Sequence, residues 1–133
     1  MELHGGDGWR LRFDPQRHPF VALIGGEHWA AELTSHETQA LQQGVITLLK
    51  QLDTLADQLM EEESLSLELE RDALWLGLEG YRHGWSLRFV LTADPSLDVP
   101  QRAIEGGWSE TASQALAAAL VGLELPGPRA WAP

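Results

Sequence analysis

A single apolar stripe of helical period divides this chain into two groups of short alternating segments. From residue 41 to residue 59 its spacings alternate between four and three, through Leu41, Val45, Leu48, Leu52, Leu55 and Leu59. This spacing predicts one long helix with one apolar face. Thr34 and Glu37 match a capping box, so we expect the helix to begin after Thr34 and to reach Met60. The stripe could lie across a sheet or form a seam with a second chain.

Three antiparallel strands are predicted before the helix, at residues 8–13, 20–24 and 28–33. In the first of them, apolar residues alternate with Arg10 and Arg12, as on a half-buried strand. The second is a short apolar segment that stops at Gly25-Gly26, a pair that suits a hairpin. These segments predict a sheet on the N-terminal side of the helix.

The second half of the chain repeats this arrangement. Alternating segments predict strands at residues 64–70, 74–80 and 85–92, then a loop at 93–101, a short edge strand at 102–108 and a second helix at 111–123. The order is three strands, a long helix, three or four strands and a shorter helix. We therefore predict an α+β fold with antiparallel sheets. Residues 1–124 would form one domain, and 125–133 an irregular proline-rich tail.

The composition excludes several classes of site and partner. Twenty acidic and nine basic residues give a formal net charge of −11, which repels phosphate backbones and anionic membranes. The absence of cysteine excludes disulfides and thiolate zinc sites. The longest apolar run, 115–123, is too short to span a bilayer, and the acidic N-terminus lacks the apolar stretch of a signal peptide. We expect a cytoplasmic protein without a membrane partner.

Two groups of polar residues look like chemical sites but fit structural roles better. His28 and Glu32 have the spacing of metal ligands on a helix, yet on a strand they would lie about 13 Å apart. Ser35, His36 and Glu37 are adjacent, so they fan out around the first helical turn and cannot line up as a catalytic triad. We expect no catalytic, metal-binding or cofactor-binding residues, and hence a non-enzymatic protein.

One set of outward-facing residues is a candidate binding face. Its members are Arg10, Arg12, Trp75 and Arg88, on the non-core phases of their strands. If those strands are neighbours, arginines and an aromatic ring would share a sheet surface, as in proteins that grip single-stranded nucleic acid. Glutamates share the same phase, at positions 32, 68, 70 and 79. The mixed charge makes salt bridges or a protein partner the more economical interpretation.

Four segments resemble a known family. In chain order they are GDGWRLRFDP, LIGGEHWAAELTSHE, LWLGLEGYRHGWSLRF and EGGWSETASQAL. They are similar to small cyanobacterial proteins grouped as domain of unknown function 1818, over residues 5 to 123. The resemblance implies a fold like that of the Whirly proteins and the transcriptional coactivator positive cofactor four, which are regulators that bind single-stranded DNA. It carries no catalytic residues, and fold likeness alone is only an analogy for function.

Two functional hypotheses follow from these observations. The first is a non-enzymatic interaction protein that binds an unidentified protein partner and forms a homodimer through its helix or a sheet edge. The alternative is a regulator that binds single-stranded DNA or RNA through Arg10, Arg12, Trp75 and Arg88. The acidity and the single lysine, Lys50, favour the first.

Overall fold

The computed structural model describes residues 1–93 and 102–125, which contain eight strands and two helices. The first half comprises β1 (Glu2–Gly6), β2 (Trp9–Phe13), β3 (Phe20–Gly25), β4 (Ala30–Thr34) and α1 (Ser35–Ala56). The second comprises β5 (Leu65–Arg71), β6 (Leu74–Tyr81), β7 (Gly84–Leu91), β8 (Ile104–Gly107) and α2 (Glu110–Val121). Each half is thus four strands followed by a helix.

The strands form two antiparallel sheets, in the orders β1-β2-β3-β4 and β5-β6-β7-β8. This architecture confirms the predicted α+β class. Both helices contact both sheets: α1 packs on β3, β4, β5 and β6, whereas α2 packs on β1, β2 and β7. The inward phases of the strands and the apolar faces of the helices enclose one core.

The capping box and the short edge strand β8 are confirmed. The Thr34 hydroxyl accepts from the Glu37 backbone N–H at 3.2 Å, and the Glu37 carboxylate accepts from the Thr34 N–H at 2.9 Å. The helix that starts there ends at Ala56 instead of Met60. The second helix spans Glu110–Val121 instead of 111–123.

The prediction of three strands before α1 was wrong, because β1 also belongs to the first sheet. Most of its residues are exposed, and Leu3 faces outward beside Arg12, so β1 shows no apolar alternation. It turns into β2 at Gly8, whose φ of +79° suits glycine. The fourth strand begins at Ala30 and not at His28, which lies in the preceding bend.

Gly44 lets α1 approach the second sheet closely. A Cβ at this position would lie 3.1 Å from Leu76 Cδ2 and 3.4 Å from Leu69 Cδ1. Glycine is a poor helix former, so its place in the middle of α1 reflects packing and not helix propensity. The apolar stripe therefore lies across a sheet over its first half, where Leu41, Val45, Leu48 and Leu52 are buried.

The two sheets meet where the edge strand β4 faces the edge strand β8. The Trp29 indole donates to the Gly107 carbonyl at 3.2 Å, and the Trp108 indole donates to the Gly25 carbonyl at 2.8 Å. The Arg102 guanidinium donates to the Glu32 carbonyl. Side chains thus join the two edges.

Two predicted segments fall outside the described residues: the loop at 93–101, apart from its first residue, and the tail from residue 126. Leu125, where the tail was predicted to begin, is buried against the core. Within the described part of the chain, no helix is long and apolar enough to cross a membrane.

Candidate interaction face

The outward side of the second sheet, which we call the acidic face, concentrates carboxylates around one tryptophan and one arginine. Strand alternation directs Leu74, Leu76 and Leu78 into the core, so the intervening residues of β6 face outward. Its residues are Ser66, Glu68, Glu70, Trp75, Gly77, Glu79, Tyr81, Ser86, Arg88, Val90, Glu105 and Gly107. The predicted outward position of Trp75 and Arg88 therefore agrees with the pairing of their strands.

Two cross-strand rows organise the acidic face. One row runs Glu68, Gly77, Arg88, Gly107, and the next runs Glu70, Trp75, Val90, Glu105. Neighbouring strands lie about 4.8 Å apart, so each row spans the sheet within about 15 Å. Glycines flank Arg88 on both sides, and side chains lie over both of them: the Trp75 ring over Gly77 and the Arg88 side chain over Gly107.

The indole of Trp75 lies over Gly77. A Cβ on Gly77 would come within 2.6 Å of the Trp75 ring, which shows how closely the ring covers the backbone. The indole N–H donates to the Glu68 carboxylate at 3.3 Å, and the Arg88 guanidinium carbon lies 5.3 Å from the ring centroid. Trp75 is half-buried and Arg88 is exposed, so the pair remains accessible from solvent.

Two shallow cavities lie on either side of Arg88. One, of ≈ 130 Å³, has Glu68, Trp75, Glu79 and Arg88 in its walls. The other, of ≈ 220 Å³, is bounded by Arg88, Val90, Glu105 and Gly107. The first has room for one ammonium or guanidinium group, and two glutamates and one arginine are among the residues that line it.

The charge of the acidic face is negative overall. Its carboxylates belong to Glu68, Glu70, Glu79 and Glu105, all exposed, and Arg88 is the one cation on these outward positions. Carboxylates arranged in this way attract cations and repel phosphates. Electrostatics therefore favour a positively charged partner at this face.

Arg10 and Arg12 lie elsewhere, on β2 of the first sheet. Of the three strands that carry the four candidate residues, only β6 and β7, with Trp75 and Arg88, are neighbours. The Arg12 guanidinium forms an ion pair with Glu32 at 3.5 Å, which Arg17 also contacts at 3.2 Å. Arg10 lies across Gly25, and no carboxylate among the described residues lies within ion-pair distance of it.

The polar groups first considered as chemical sites have structural contacts. The exposed imidazole of His36 lies 2.9 Å from the Asp72 carboxylate, and Glu37 belongs to the capping box. His28 is exposed and contacts Glu27 at 3.9 Å. Nowhere in residues 1–93 and 102–125 do three His, Cys, Asp or Glu residues gather in a group that could hold a metal ion.

Seven of the twelve residues on the acidic face were not identified from the sequence, among them Glu105, Gly77 and Gly107. Glu105 lies on the short edge strand, whose pairing cannot be read from spacing. The positions of Gly77 and Gly107 could have been noticed in the sequence, because glycine within a strand indicates a place where another group approaches the backbone closely. Here those groups are the Trp75 ring and the Arg88 side chain.

Comparison with known proteins identifies a family and related solved structures. The family model described as Domain of unknown function (DUF1818) matches residues 4–123. A crystal structure of a protein with unknown function from the DUF155 family, from Prochlorococcus sp. NATL2A, is similar to this chain at 36% sequence identity with a TM-score of 0.80. That similarity covers 90% of this chain and 96% of the other. No curated protein matches the sequence.

Proposed function

The chain belongs to the family described as domain of unknown function DUF1818. We propose that it is a non-enzymatic interaction protein whose acidic face binds a basic segment of a protein partner. The observation that carries this proposal is the cavity between Glu68 and Glu79 beside the Trp75 ring. A lysine or arginine of the partner would enter this cavity and pair with both carboxylates.

The residue types on the acidic face support a protein partner. Tryptophan, tyrosine and arginine are enriched at the energetic centres of protein interfaces. Trp75, Tyr81 and Arg88 all face outward on adjacent strands, and Tyr81 is 46% exposed. A central aromatic anchor with a charged rim is the usual anatomy of such a surface.

The negative charge of the glutamates around Trp75 and Arg88 favours a positively charged partner. Four exposed glutamates surround one arginine, so a basic segment gains attraction at every edge of the face. Exposed ion pairs contribute only about 0.2–1 kcal/mol each, and they raise the association rate and select the partner more than they add affinity. Affinity would come mainly from contact with Trp75.

A matched pair of variants tests this proposal. A labelled arginine-rich peptide is titrated with the wild type, with the double variant Glu68→Gln/Glu79→Gln, and with the control Glu61→Gln/Glu62→Gln. Both variants change the net charge equally, but the control alters only the turn after α1. We expect the first variant to weaken binding about tenfold, from two lost pairs of up to about 1 kcal/mol each, and the control to weaken it by less than about twofold. Equal losses would contradict the proposal, because they would indicate attraction to net charge alone.

A second candidate function is binding of single-stranded DNA or RNA, the activity of the Whirly-like regulators whose fold the family resemblance implies. The specific observation in its favour is the Arg88–Trp75 pair, because bases stack on such aromatic platforms. The surrounding carboxylates oppose it, and Arg10 and Arg12 lie on the other sheet. This candidate requires that Arg88→Ala, which removes the cation beside the Trp75 ring, abolish oligonucleotide binding.

A further inference from the structure

Among the described residues, no strand pairs with the outer edge of β5, whose charged side chains are Glu68, Glu70 and Arg71. In its sheet, β5 is hydrogen-bonded only to β6, and its seven residues pair with β6 without a bulge. Exposed edges are usually blocked by proline, lysine or a bulge. No proline or lysine occurs in Leu65–Arg71. The edges of β4 and β8 face each other, so β5 and β1 are the open edges of the two sheets.

The core-facing side of β5 is also incompletely covered. Leu65, Leu67 and Leu69 are only half-buried, whereas Leu78 and Leu76, which lie opposite Leu67 and Leu69 on β6, are buried. A groove of ≈ 420 Å³ runs between β5 and α1, lined by Thr47, Lys50, Gln51, Thr54, Leu55 and Leu67. Apolar side chains of another strand placed beside β5 would fill it. The other open edge, β1, is short, almost wholly exposed and ends in two glycines.

We propose that the β5 edge is a self-association site, at which β5 of a second copy pairs antiparallel about a twofold axis through Leu67. In a twofold pair of this kind, opposite residues point to the same face, so the leucines of both copies stay on the groove side. The pairing would join the two second sheets and bury both grooves. It is independent of the partner proposed for the acidic face.

Charge complementarity along β5 selects this register. With Leu67 opposite itself, Ser66 faces Glu68, Leu65 faces Leu69, and Ser64 faces Glu70. Continued to the next residue, Glu63 faces Arg71, an opposite-charge pair that occurs twice by symmetry. Opposite charges across strands stabilise a sheet, and like charges directly opposite destabilise it.

The neighbouring twofold registers bring like charges together. A shift that centres the pair on Glu68 places Glu68 opposite itself, and centring on Leu69 places Glu68 opposite Glu70. Centring on Ser66 places Glu62 opposite Glu70. Among these registers, only the one through Leu67 leaves both glutamates of β5, Glu68 and Glu70, opposite serine, which is why a second copy fits this edge. Beyond the strand, the same register places Glu62 opposite Asp72.

Disulfide trapping tests both the association and its register, because the chain contains no native cysteine. Directly opposite residues have Cα atoms about 4.5–5.5 Å apart, within the range of a disulfide. We expect Leu67→Cys to form a covalent dimer on mild oxidation. The control Leu69→Cys, also half-buried, should stay monomeric because its copies would lie about 13 Å apart along the strand. Cross-linking of Leu69→Cys without Leu67→Cys would overturn the register.

Sedimentation velocity gives a test that does not depend on cysteine variants. Wild-type protein, examined from low micromolar to submillimolar concentration, should shift from the 14.7 kDa chain towards twice that mass. Glu63→Arg should raise the dimer dissociation constant about five- to tenfold, since it faces Arg71 twice, and Glu63→Arg/Arg71→Glu should restore it. A monomer at every concentration, or no rescue by the double variant, would overturn the proposal.

Discussion

Arg102 binds the Glu37 carboxylate with both of its terminal nitrogens, at 2.9 and 3.0 Å. Glu37 is buried at the start of α1, where the same carboxylate also accepts from the Thr34 backbone N–H. Arg102 lies two residues before the first residue of the edge strand β8. One carboxylate therefore caps the first helix and fixes the strand that carries Glu105 and Gly107 of the acidic face.

Loss of this ion pair should destabilise the whole domain. Arg102→Met leaves the buried Glu37 carboxylate without its cation, and we expect the free energy of unfolding to fall by about 2–3 kcal/mol. Urea denaturation measures this change. Arg17→Ala is the control, because its exposed pair with Glu32 should contribute no more than about 0.5 kcal/mol. Equal effects of the two variants would contradict the role given to Arg102.

Ser113 should also contribute strongly to the stability of the domain. Its fully buried hydroxyl accepts from the Leu87 N–H at 2.8 Å and donates to the Trp108 carbonyl at 3.1 Å, joining α2 to the second sheet. Ser113→Ala would leave a buried N–H without a partner, at a cost of about 1–3 kcal/mol. In the same denaturation assay, Ser86→Ala should change the unfolding free energy by less than about 0.5 kcal/mol. A neutral Ser113→Ala would show that the bridge does not stabilise the domain.

The position of the Trp75 indole should depend on Gly77. In Gly77→Ala the new methyl group would overlap the ring, so the indole must move and lose its hydrogen bond to Glu68. The indole N–H signal in a proton–nitrogen NMR spectrum, assigned with Trp75→Ala, should then shift. Gly5→Ala is the control, because a Cβ there meets only ordinary contacts on the other sheet. An unchanged Trp75 signal in Gly77→Ala would contradict the geometry described for the acidic face.

Single-stranded oligonucleotides should not bind at low salt. Phosphate contacts are strongest under that condition, yet the acidic face and the net charge of −11 both oppose them. Fluorescence anisotropy of a labelled oligonucleotide titrated with the protein should therefore remain flat. Saturable binding that weakens as salt rises would favour the Whirly-like alternative over a protein partner.

Local patterns predicted much of the fold. The capping box located the start of α1, period-two alternation located β2, β4, β5, β6 and β7, and a short apolar run before a glycine pair located β3. The exposed strand β1 was missed because it has no buried side to produce alternation. The end of α1 was overestimated, since Leu59 continues the apolar spacing after the helix has ended at Ala56. Apolar spacing reports which positions pack and does not show where helical hydrogen bonds stop.

The candidate site was predicted only in part. Strand phase placed Trp75 and Arg88 outward, and the structure brings them together on adjacent strands. The same phase placed Arg10 and Arg12 outward but could not show that β2 belongs to a different sheet. Strand order depends on contacts between residues far apart in the chain, about which local spacing carries no information.

The most direct test of the proposed function is an NMR titration of the labelled protein with an arginine-rich peptide. We expect the largest chemical-shift changes on the acidic face, at Glu68, Trp75, Gly77, Arg88 and Gly107, and we expect these changes to saturate together. Shifts spread over all acidic surfaces, including Glu61–Glu63, would show attraction without a site. That result would contradict the assignment of the acidic face as the binding surface.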